Sequence, residues 1–468
     1  MRPERARYFH AMARTLTRDG DPPPLAAGRM VARLVFLANA DDLAMPSSSH
    51  VLDGLDEVRF ERGPRGSRRA SRSLVLAFPD LRMSRVNGAL VRHGDRWVLD
   101  DPVSKNGAVV DGTATRHGVL RDGAILELGH SFFVFRQSGI TAVPPHLEGD
   151  VEQLPSGPPG MATFAPQLAA QMVALPRLAA SQIPILVRGE TGTGKELVAR
   201  AVHTLAQRPG PFVAVNCGAI PAALIGSELF GHRRGAFSGA LADRKGLIRN
   251  ADGGTLFLDE VAELDLRAQA ALLRVLQERE VQAVGEDRPV KVDVRVVGAT
   301  HRDFAAAIAE GTFRLDLYAR IAGYEITLLP LRERREDLGL LLRHVLARHA
   351  DRPLGIAVAA LRALVRYDWP RNVRELEQTI ASAAKLADAT IELAHLPDSV
   401  RTPALAPALP ARERRTLNDS DDDLRAQIIA ALAEHDGNIV AVSKALGKRR
   451  TTIYKWAKRF AIDLDAFR

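Results

Sequence analysis

The sequence of 468 residues has a single cysteine and no long apolar run. One cysteine, Cys217, excludes an intrachain disulfide and is typical of proteins in a reducing compartment. No stretch approaches the ~18 consecutive apolar residues that a membrane-spanning helix requires, and the basic segment 1–20 lacks the apolar centre of a secretory signal. We therefore expect a cytoplasmic protein without a membrane partner.

The composition is that of an ordinary globular protein, with 46% hydrophobic and 26% charged residues. At ~150 residues per domain, the length predicts about three domains. The formal net charge is +8, which is compatible with a nucleic-acid partner but is also common on a solvated surface. Composition alone therefore leaves nucleic-acid binding open.

Two segments rich in proline, alanine and glycine have no clear apolar period and are interpreted as linkers. They cover residues 139–160 and 401–417. The domains predicted between and beside them span residues 30–138, 161–400 and 418–468. No internal repeat at solenoid spacing is found in the sequence.

The three regions differ in their hydrophobic patterns. The first contains short β-prone runs such as RLVFLA, SLVLAF and SFFVFR between turn residues, which predicts an all-β sandwich. The second alternates continuous apolar strands such as IPILVRG and TLFLDE with helical stretches, which predicts an α/β domain with a parallel sheet and helices on both faces. The third is helical throughout, which predicts an all-α domain.

The segment ILVRGETGTGKELVAR has the spacing of a phosphate-binding P-loop, and it follows an apolar strand and opens a helix. Glycines allow the backbone N–H groups to close around phosphate oxygens, the helix N-terminus favours negative charge, and Lys195 can reach the outer phosphates. Glu196 stands where a Ser or Thr usually meets Mg²⁺. The candidate nucleotide-binding residues are Gly189, Glu190, Thr191, Gly192, Thr193, Gly194, Lys195 and Glu196.

A second apolar strand, GGTLFLDE, ends in Asp259 and Glu260. A carboxylate at a buried strand end suits Mg²⁺ coordination, here assigned to Asp259, and a second one suits activation of an attacking water. A single such carboxylate could be a purely structural strand-end group. A pair of them downstream of a P-loop favours the catalytic interpretation.

The middle region resembles the AAA+ ATPase domain of bacterial sigma-54-dependent transcription activators, also called enhancer-binding proteins. The resemblance is carried by GETGTGKELVARAVH, PFVAVNCGAIP, SELFGHRRGAFSGA, ADGGTLFLDEVAEL, FRLDLYARI, LLPLRERREDL and WPRNVREL. It implies a P-loop domain with a helical subdomain, ATP and Mg²⁺ as cofactors, and a Glu at position 196. It also implies a homo-oligomeric ring, commonly a hexamer, and sigma-54 with RNA polymerase as partners.

The same resemblance implies roles for individual residues. Asn216 would restrain Glu260 until the nucleotide state changes, and Arg374 of the helical subdomain would sense the nucleotide. Arg314 and Arg320 would reach the ATP of a neighbouring subunit, where an arginine can raise the rate by ~10³–10⁵. The implied catalytic set is Lys195, Asn216, Asp259, Glu260, Arg314 and Arg320.

Two positions depart from the family pattern. His301 occupies a position where the family often has Asn, which bears on the sensing of the outer phosphate. Arg371 replaces a glycine in WPRNVREL. The alternative for Arg314 and Arg320 is a surface ion pair, for example with Asp316.

The hexapeptide GAFSGA at 235–240 resembles the mobile loop that the family projects from the ring toward sigma-54. Small residues allow the backbone to change shape, and Phe237 offers apolar contact area. Ser238 replaces the usual Thr but keeps the hydroxyl, so we expect the loop to work. The alternative is a turn whose Phe237 lies in the core. The implied sigma-54 contacts are Gly235, Ala236, Phe237, Ser238, Gly239 and Ala240.

The C-terminal region predicts three helices separated by turns at 436–437 and near Gly447. It resembles the Fis-type helix-turn-helix of many of these activators, whose last helix enters the major groove of enhancer-like double-stranded DNA. The alternative is an amphipathic helix with a basic, solvated face. The implied DNA contacts are Arg449, Arg450, Thr451, Thr452 and Lys455.

The first region resembles the forkhead-associated (FHA) domain, a β-sandwich that binds phosphothreonine peptides, through FERGPRG, MSRVNGALV and SKNGAVVDG. The implied phosphopeptide contacts are Arg62, Ser84, Arg85 and Asn106. Glu61 stands in place of the family's Gly, and Asn87 in place of a His that braces the loop. The alternative is an FHA fold that mediates other protein contacts. The resemblance implies input from a Ser/Thr kinase pathway.

Together these features predict a sigma-54-dependent activator that binds upstream DNA and uses ATP hydrolysis in a ring to bring sigma-54 polymerase into the open complex. Phosphothreonine recognition by the first domain would control it. Two alternatives remain at this point: a phosphopeptide-binding scaffold with a vestigial ATPase, and a DNA-binding repressor that uses ATP to oligomerise without contacting sigma-54.

Overall fold

The N-terminal region is built from short strands in two facing sheets. The computed structural model describes residues 30–101, 104, 107–139, 148–150, 161–237, 239–350, 352–401, 428–429, 431–432, 435, 438–448, 450–459 and 462. The first strands are β1 Met30–Asn39, β2 Ser48–Val51, β3 Glu57–Arg62, β4 Gly66–Ala70, β5 Ser73–Phe78, β6 Val86–His93 and β7 Arg96–Asp100. They are followed by β8 Ala108–Val110, β9 Thr113–Thr115, β10 His117–Leu120, β11 Ile125–Leu128, β12 Ser131–Gly139 and β13 Gly149–Asp150.

One sheet has the order β13-β2-β1-β12-β11-β8-β9 and the other the order β10-β7-β6-β3-β5-β4. Between them lies an aromatic core in which the rings of Phe36, Phe78 and Phe133 have centroids 4.7–5.4 Å apart. The expected β-rich first region is therefore confirmed. The short strand β13 falls within the predicted linker 139–160 and pairs with β2. Ion pairs of Arg65 with Asp150 and of Arg69 with Glu148 also hold this segment.

The second region is a parallel sheet flanked by helices, as predicted. Its strand order is β15-β16-β19-β14-β20, and the neighbours are paired in parallel. The elements are α1 Pro166–Ala180, β14 Ile185–Arg188, α2 Lys195–Leu205, β15 Phe212–Asn216, α3 Ala222–Phe230, α4 Leu247–Asn250, β16 Thr255–Asp259 and α5 Leu266–Glu278. They continue with β17 Glu280–Val281, β18 Val290–Lys291, β19 Arg295–Thr300, α6 Phe304–Ala309, α7 Leu315–Ile321 and β20 Tyr324–Thr327.

A helical subdomain, the lid, follows the sheet. It begins with two short helical turns, Leu331–Glu333 and Arg335–Asp337. It continues with α8 Leu338–His349, β21 Gly355–Ile356, α9 Val358–Arg366, α10 Asn372–Leu386, β22 Thr390–Ile391 and α11 Asp398–Arg401. Its apolar residues form one buried cluster with the outer face of β1 and β12, including Leu37 and Phe132. The sandwich, the parallel sheet and the lid consequently belong to one structural unit, residues 1–403.

The second unit spans residues 404–468. Its described residues include α12 Ile439–Ala445 and α13 Arg450–Arg459, which share a buried cluster containing Val442 and Ile453. Within the described part of the chain, no helix combines the length and the apolarity needed to cross a membrane.

The packing of the sandwich on the lid predicts the outcome of a glycine substitution. A Cβ at Gly339, in the first turn of α8, would overlap the backbone oxygen of Leu37 in β1. We expect Gly339→Ala to destabilise the chain by ~1–3 kcal/mol, because a methyl group is forced into a filled contact. The free energy of unfolding measured in urea tests this prediction.

A matched control is Gly226→Ala in helix α3, where a Cβ would meet open space. Alanine is the better helix former by ~0.5–1 kcal/mol, so this variant should be as stable as the parent or more stable. Equal effects of the two substitutions would contradict the close contact between α8 and β1.

Candidate functional site

The glycine-rich loop 189–194 connects strand β14 to helix α2. Gly189, Gly192 and Gly194 have φ angles of 155°, 81° and 108°, in the region that favours glycine. A Cβ on Gly192 would also overlap the backbone oxygen of Arg371. The loop therefore needs glycine both for its conformation and for its contact with the lid, and it places the N-terminus of α2 at the site, where it favours anions.

Strand ends supply the remaining groups. Because β14, β15, β16 and β19 are parallel, their carboxyl ends meet at one edge of the sheet. Asn216 ends β15, Asp259 ends β16, and His301 follows β19. The structure thus brings together residues from motifs that are far apart in the sequence.

Lys195 and Glu260 form a largely buried ion pair beside the loop. Lys195 is only 7% exposed, its Nζ donates to the backbone oxygen of Gly189 (3.0 Å), and it lies 3.3 Å from Glu260 Oε1. Burial works to raise the pKa of Glu260, but Lys195 and His301 outweigh it and lower that pKa. Burial raises the pKa of the neighbouring Asp259. Glu260 is therefore held ionised. For Asp259, the attraction of Lys195 does not offset the effect of burial on its pKa.

The second carboxylate oxygen of Glu260 is held by His301 and Thr300, whereas Asn216 was the residue predicted to restrain it. Its Oε2 accepts from His301 Nδ1 (2.8 Å) and from Thr300 Oγ1 (3.4 Å). Asn216 lines the same cavity, but its Oδ1 accepts from the backbone N–H of Ala219 (3.1 Å). A restraining role for Asn216 stays a prediction, and His301 is the contact that the structure adds.

A cavity of 580 Å³ opens above these groups. Loop residues 191–196, the strand-end residues and Arg374 of the lid line its polar part. The remaining wall has an apolar part that includes Met161, Leu168, Met172, Leu341 and Val345, beside charged lid residues such as Arg334 and Asp337. A charged end beside an apolar end suits a ligand that joins phosphates to a flat organic ring.

Two lid side chains, Arg332 and Asn372, bind the glycine loop. Neither was predicted to have a role in the site. Arg332 binds both carboxylate oxygens of Glu190 (2.5 and 2.9 Å), and its hydrogen bond is the main reason that the pKa of Glu190 is lowered. The buried Asn372 donates to Glu190 Oε2 and to the Thr191 backbone oxygen, both at 3.1 Å. These residues lie in the motifs LLPLRERREDL and WPRNVREL, so the signal was present in the sequence.

Arg314 and Arg320 lie apart from the cavity that the described residues form. Arg314 pairs with Asp316 (2.6 Å), and Arg320 donates to the backbone oxygen of Leu276 (3.0 Å). Both side chains are exposed. The surface pair with Asp316, which was the alternative for these arginines, is therefore present for Arg314 but not for Arg320. Their action on a neighbouring subunit stays a prediction.

The loop 235–240 is a narrow turn on the surface. Its ends are joined by the bond from the Gly235 N–H to the Ala240 oxygen (2.9 Å). Phe237 is 39% exposed and packs edge-on against His232, with centroids 5.0 Å apart. Exposure of Phe237 argues against the alternative of a core position, while Ser238 lies outside the described residues.

Glu286 ties this loop to the neighbouring hairpin of β17 and β18. It is almost buried and binds Arg233, at the base of the loop, at 2.7 Å. It also binds Arg249, in the helix before β16, and Asp243 holds Arg233 from the other side at 2.6 Å. The base of the exposed loop is consequently linked to the segment that precedes strand β16.

Two family models and a full-length relative match this chain. A family model described as "Sigma-54 interaction domain" matches residues 161–327, and one described as "AAA+ ATPase lid domain" matches residues 332–412. The transcriptional regulatory protein GlrR of Escherichia coli K12 is 34% identical over 436 residues, which cover 89% of this chain and 94% of GlrR. The chain belongs to the sigma-54-dependent transcriptional activators.

Two further similar proteins match a smaller part of this chain. The DNA-binding transcriptional activator HyfR of Escherichia coli K12 is 42% identical over 305 residues, which cover 61% of this activator but only 45% of HyfR. A solved structure from an analysis of phosphothreonine-dependent FHA domain interactions is 24% identical, with a TM-score of 0.18, and covers 23% of this chain and 95% of its own.

The candidate phosphopeptide residues of the activator lie on adjoining loops of the sandwich. Arg62 ends β3 and is exposed, while Ser84 and Arg85 lie in the loop between β5 and β6. Asn87 braces this loop, since its side chain donates to the Ser84 oxygen (2.8 Å) and accepts from the Ser84 N–H (3.1 Å). The amide of Asn87 thus braces the loop in place of the family's His. Asn106 lies outside the described residues.

Asp80 anchors the same loop and was not identified from the sequence. Its buried carboxylate accepts from the backbone N–H groups of Arg82 (2.8 Å) and His130 (2.7 Å) and from Ser131 Oγ (2.8 Å). A carboxylate with this many donors fixes the loop that begins beside it. A single aspartate after a strand carried no distinguishing signal.

The candidate DNA-contacting residues lie at and within helix α13. Arg450 is exposed at its first position and Thr452 is partly buried. Thr451 and Lys455 belong to the same helix, but their side chains, like all of Arg449, lie outside the described residues. The DNA contacts therefore stay predictions.

The grip of the lid on the loop leads to a prediction for nucleotide affinity. Replacing Arg332 by Ala removes two charge-assisted bonds to Glu190, a partly exposed pair whose contribution is reduced by solvent. We expect the Kd for ADP to rise roughly three- to tenfold, measured by titration with a fluorescent ADP.

The matched control is Arg335→Ala. Arg335 lies in the next short turn, Arg335–Asp337, and its carboxylate partner, Asp368, belongs to the lid rather than to the glycine loop. It should bind ADP as the parent does. A loss of affinity in Arg335→Ala as large as that in Arg332→Ala would contradict a specific role of the Glu190 contact.

Proposed function

We propose that this protein activates transcription by hydrolysing ATP in a homo-oligomeric ring and using the energy to open promoter DNA bound by sigma-54 RNA polymerase. The observation that carries the proposal is that one domain joins the glycine loop, Lys195, Asp259 and Glu260 in a single cavity and also exposes Phe237 on a surface turn. Membership of the sigma-54-dependent activators supports the same function.

The cavity fits a nucleoside triphosphate with Mg²⁺. Loop N–H groups and Lys195 would hold the phosphates, and the apolar wall would hold the base. Asp259 is half-buried and its pKa is raised by burial, so a cation beside it would be favourable. Mg²⁺ takes few protein ligands and, when bound, would neutralise charge on the phosphates. Glu196 also lines the cavity, but its carboxylate pairs with Arg200 (2.6 Å).

Glu260 is the proposed base for the attacking water. In the described structure it is bound to Lys195 and His301, so those contacts must loosen before the carboxylate can accept a proton. We assign to His301 the holding of Glu260 in this position, with Asn216 as the second candidate. Arg374 lines the cavity from the lid, where it would sense the nucleotide.

Arg314 and Arg320 supply the reason for a ring. Both are exposed and lie away from the cavity of their own chain, so they would complete the site of a neighbour. Charge on the transferred phosphoryl group would then be stabilised across the subunit boundary. A hexamer is the proposed form.

The exposed loop would deliver the force. Phe237 would contact sigma-54, and Glu286 would transmit movement from the catalytic strand to the base of the loop through Arg249 and Arg233. The first domain would receive a phosphothreonine signal from a Ser/Thr kinase, and helix α13 would bind enhancer-like DNA.

The central test separates the proposed function from its alternatives. Lys195→Ala should lower ATP hydrolysis at least about 100-fold, because a charge that stabilises the phosphates is lost. Open-complex formation on a sigma-54 promoter should be abolished with it. Hydrolysis without opening by the parent protein would favour the repressor, and absence of hydrolysis would favour the scaffold.

Phe237→Ala separates force transmission from chemistry. It should hydrolyse ATP but fail to form open complexes, because the apolar contact with sigma-54 is lost. Leu241→Ala is the control, since Leu241 is 86% exposed and follows the hexapeptide directly. If Leu241→Ala failed equally, the hexapeptide would not be the specific contact.

Phosphothreonine recognition has its own test. Arg62→Ala should weaken binding of a phosphothreonine peptide at least about tenfold in fluorescence anisotropy, because a charge-assisted bond to the phosphate is lost. Arg59→Ala is the control, since Arg59 lies on the same strand and pairs with Glu57 (2.9 Å). Equal binding of phosphorylated and unphosphorylated peptide by the parent would reject this role.

A further inference from the structure

We infer that the first domain is a permanent structural part of the lid, and that nucleotide binding is transmitted to it through buried charges around Glu336. The inference rests on the proposed nucleotide binding but not on phosphopeptide, DNA or sigma-54 binding. It differs from a modular arrangement, in which a sensory domain is tethered by a linker and can detach.

Apolar packing provides the first line of evidence. Strands β1 and β12 are buried on both faces, because Phe36 and Phe133 face the aromatic core while Leu37 and Phe132 face the lid. The lid-facing side chains are fully buried among residues of α8, α9 and α10. Detachable domains have more polar interfaces, whereas this one resembles the interior of a single domain.

Buried charges provide the second line of evidence. Glu336 is 1% exposed and lies 3.8 Å from Arg33 of β1 and 3.2 Å from Arg136 of β12. Arg33, also 1% exposed, donates to the backbone oxygen of Phe164 (2.8 Å). Separation of the two domains would leave a buried charge without its partner or require its hydration, so the ion group opposes detachment.

The same short segment reaches the nucleotide site. Asp337 follows Glu336 and accepts from Thr163 Oγ1 (2.6 Å) and from the Phe164 N–H (2.7 Å). Arg334 donates to the backbone oxygen of Thr193 in the glycine loop (3.1 Å), and both Arg334 and Asp337 line the cavity. Residues 334–337 therefore contact the glycine loop at one end and the sandwich at the other.

The proposed peptide pocket remains accessible in this arrangement. The lid covers the sheet that contains β1 and β12, whereas Arg62 ends β3 in the opposite sheet and is exposed, as is Arg85. A bound partner would therefore sit on a body that moves with the lid.

Hydrogen exchange of the full-length protein, with and without ADP, tests the inference. At ~100 times its Kd, a ligand can slow exchange that requires opening of the bound unit by up to ~100-fold. We expect ADP to slow exchange at least about tenfold in β1 and β12 as well as in α8 and residues 189–195. Helix α13, in the second unit, should not respond.

Two variants identify the route. Glu336→Gln should still bind ADP and protect residues 189–195, but the response of β1 and β12 should fall to less than half. Arg362→Ala removes a pair at the edge of the same interface, with Glu127 at 2.8 Å, and should retain the full response. If Glu336→Gln does not fold, Arg136→Gln, at the less buried side of the ion group, replaces it.

The outcomes are distinct. Protection of α8 and residues 189–195 without protection of β1 and β12 in the parent protein overturns the inference and leaves the proposed function intact. Absence of any protection by ADP shows that the proposed nucleotide binding itself is wrong. A full response in Glu336→Gln shows that the coupling does not pass through Glu336.

Discussion

The contact between the lid and the glycine loop is the interaction on which the rest of the structure depends. Three side chains bind the loop. Arg332 binds Glu190, Arg334 binds the backbone oxygen of Thr193, and Asn372 binds both Glu190 and the backbone oxygen of Thr191. Hydrogen bonds to charged groups contribute ~1.5–3 kcal/mol each where they are shielded from water. Because the loop cannot change without these contacts changing, phosphate binding and lid position form one equilibrium rather than two.

Glu260 is constrained both by its backbone and by two neighbouring side chains. Its backbone has a φ of 51°, an arrangement that costs a non-glycine residue on the order of 1–3 kcal/mol. Lys195 and His301 hold the carboxylate on opposite sides. A phosphate group near Lys195 would compete for the same ammonium, so the proposed nucleotide would weaken one of the two contacts of Glu260.

The nucleotide site was predictable from the sequence because its parts are local. Each motif contains its own strand end, and parallel pairing is enough to bring Lys195, Asp259 and Glu260 to one edge. The contacts of His301 with Glu260 and of Arg332 with Glu190 depend on side-chain positions across the cavity. A single sequence provides the residue types for these contacts but not their pairing.

The docking of the sandwich on the lid left a weaker sequence signal. Strand β1 reads MVARLVFLAN, a nearly continuous apolar run, whereas a strand with one solvated face alternates. The run indicates burial on both faces, but it does not indicate what covers the second face. That information lies in the contact of Leu37 with Gly339, about 300 residues later, and in the ion group around Glu336.

This docking limits how a signal at the first domain can act. Val35, Leu37, Phe132 and Val134 are buried against the lid, and at ~1.5–3 kcal/mol per side chain their exposure would cost roughly 6–12 kcal/mol. That is comparable to the entire stability of a typical domain. If a phosphorylated partner binds the first domain as proposed, pulling the sandwich away from the lid would therefore be too costly a way to act. Such a partner would instead shift the sandwich and lid together or bring subunits of the proposed ring into contact.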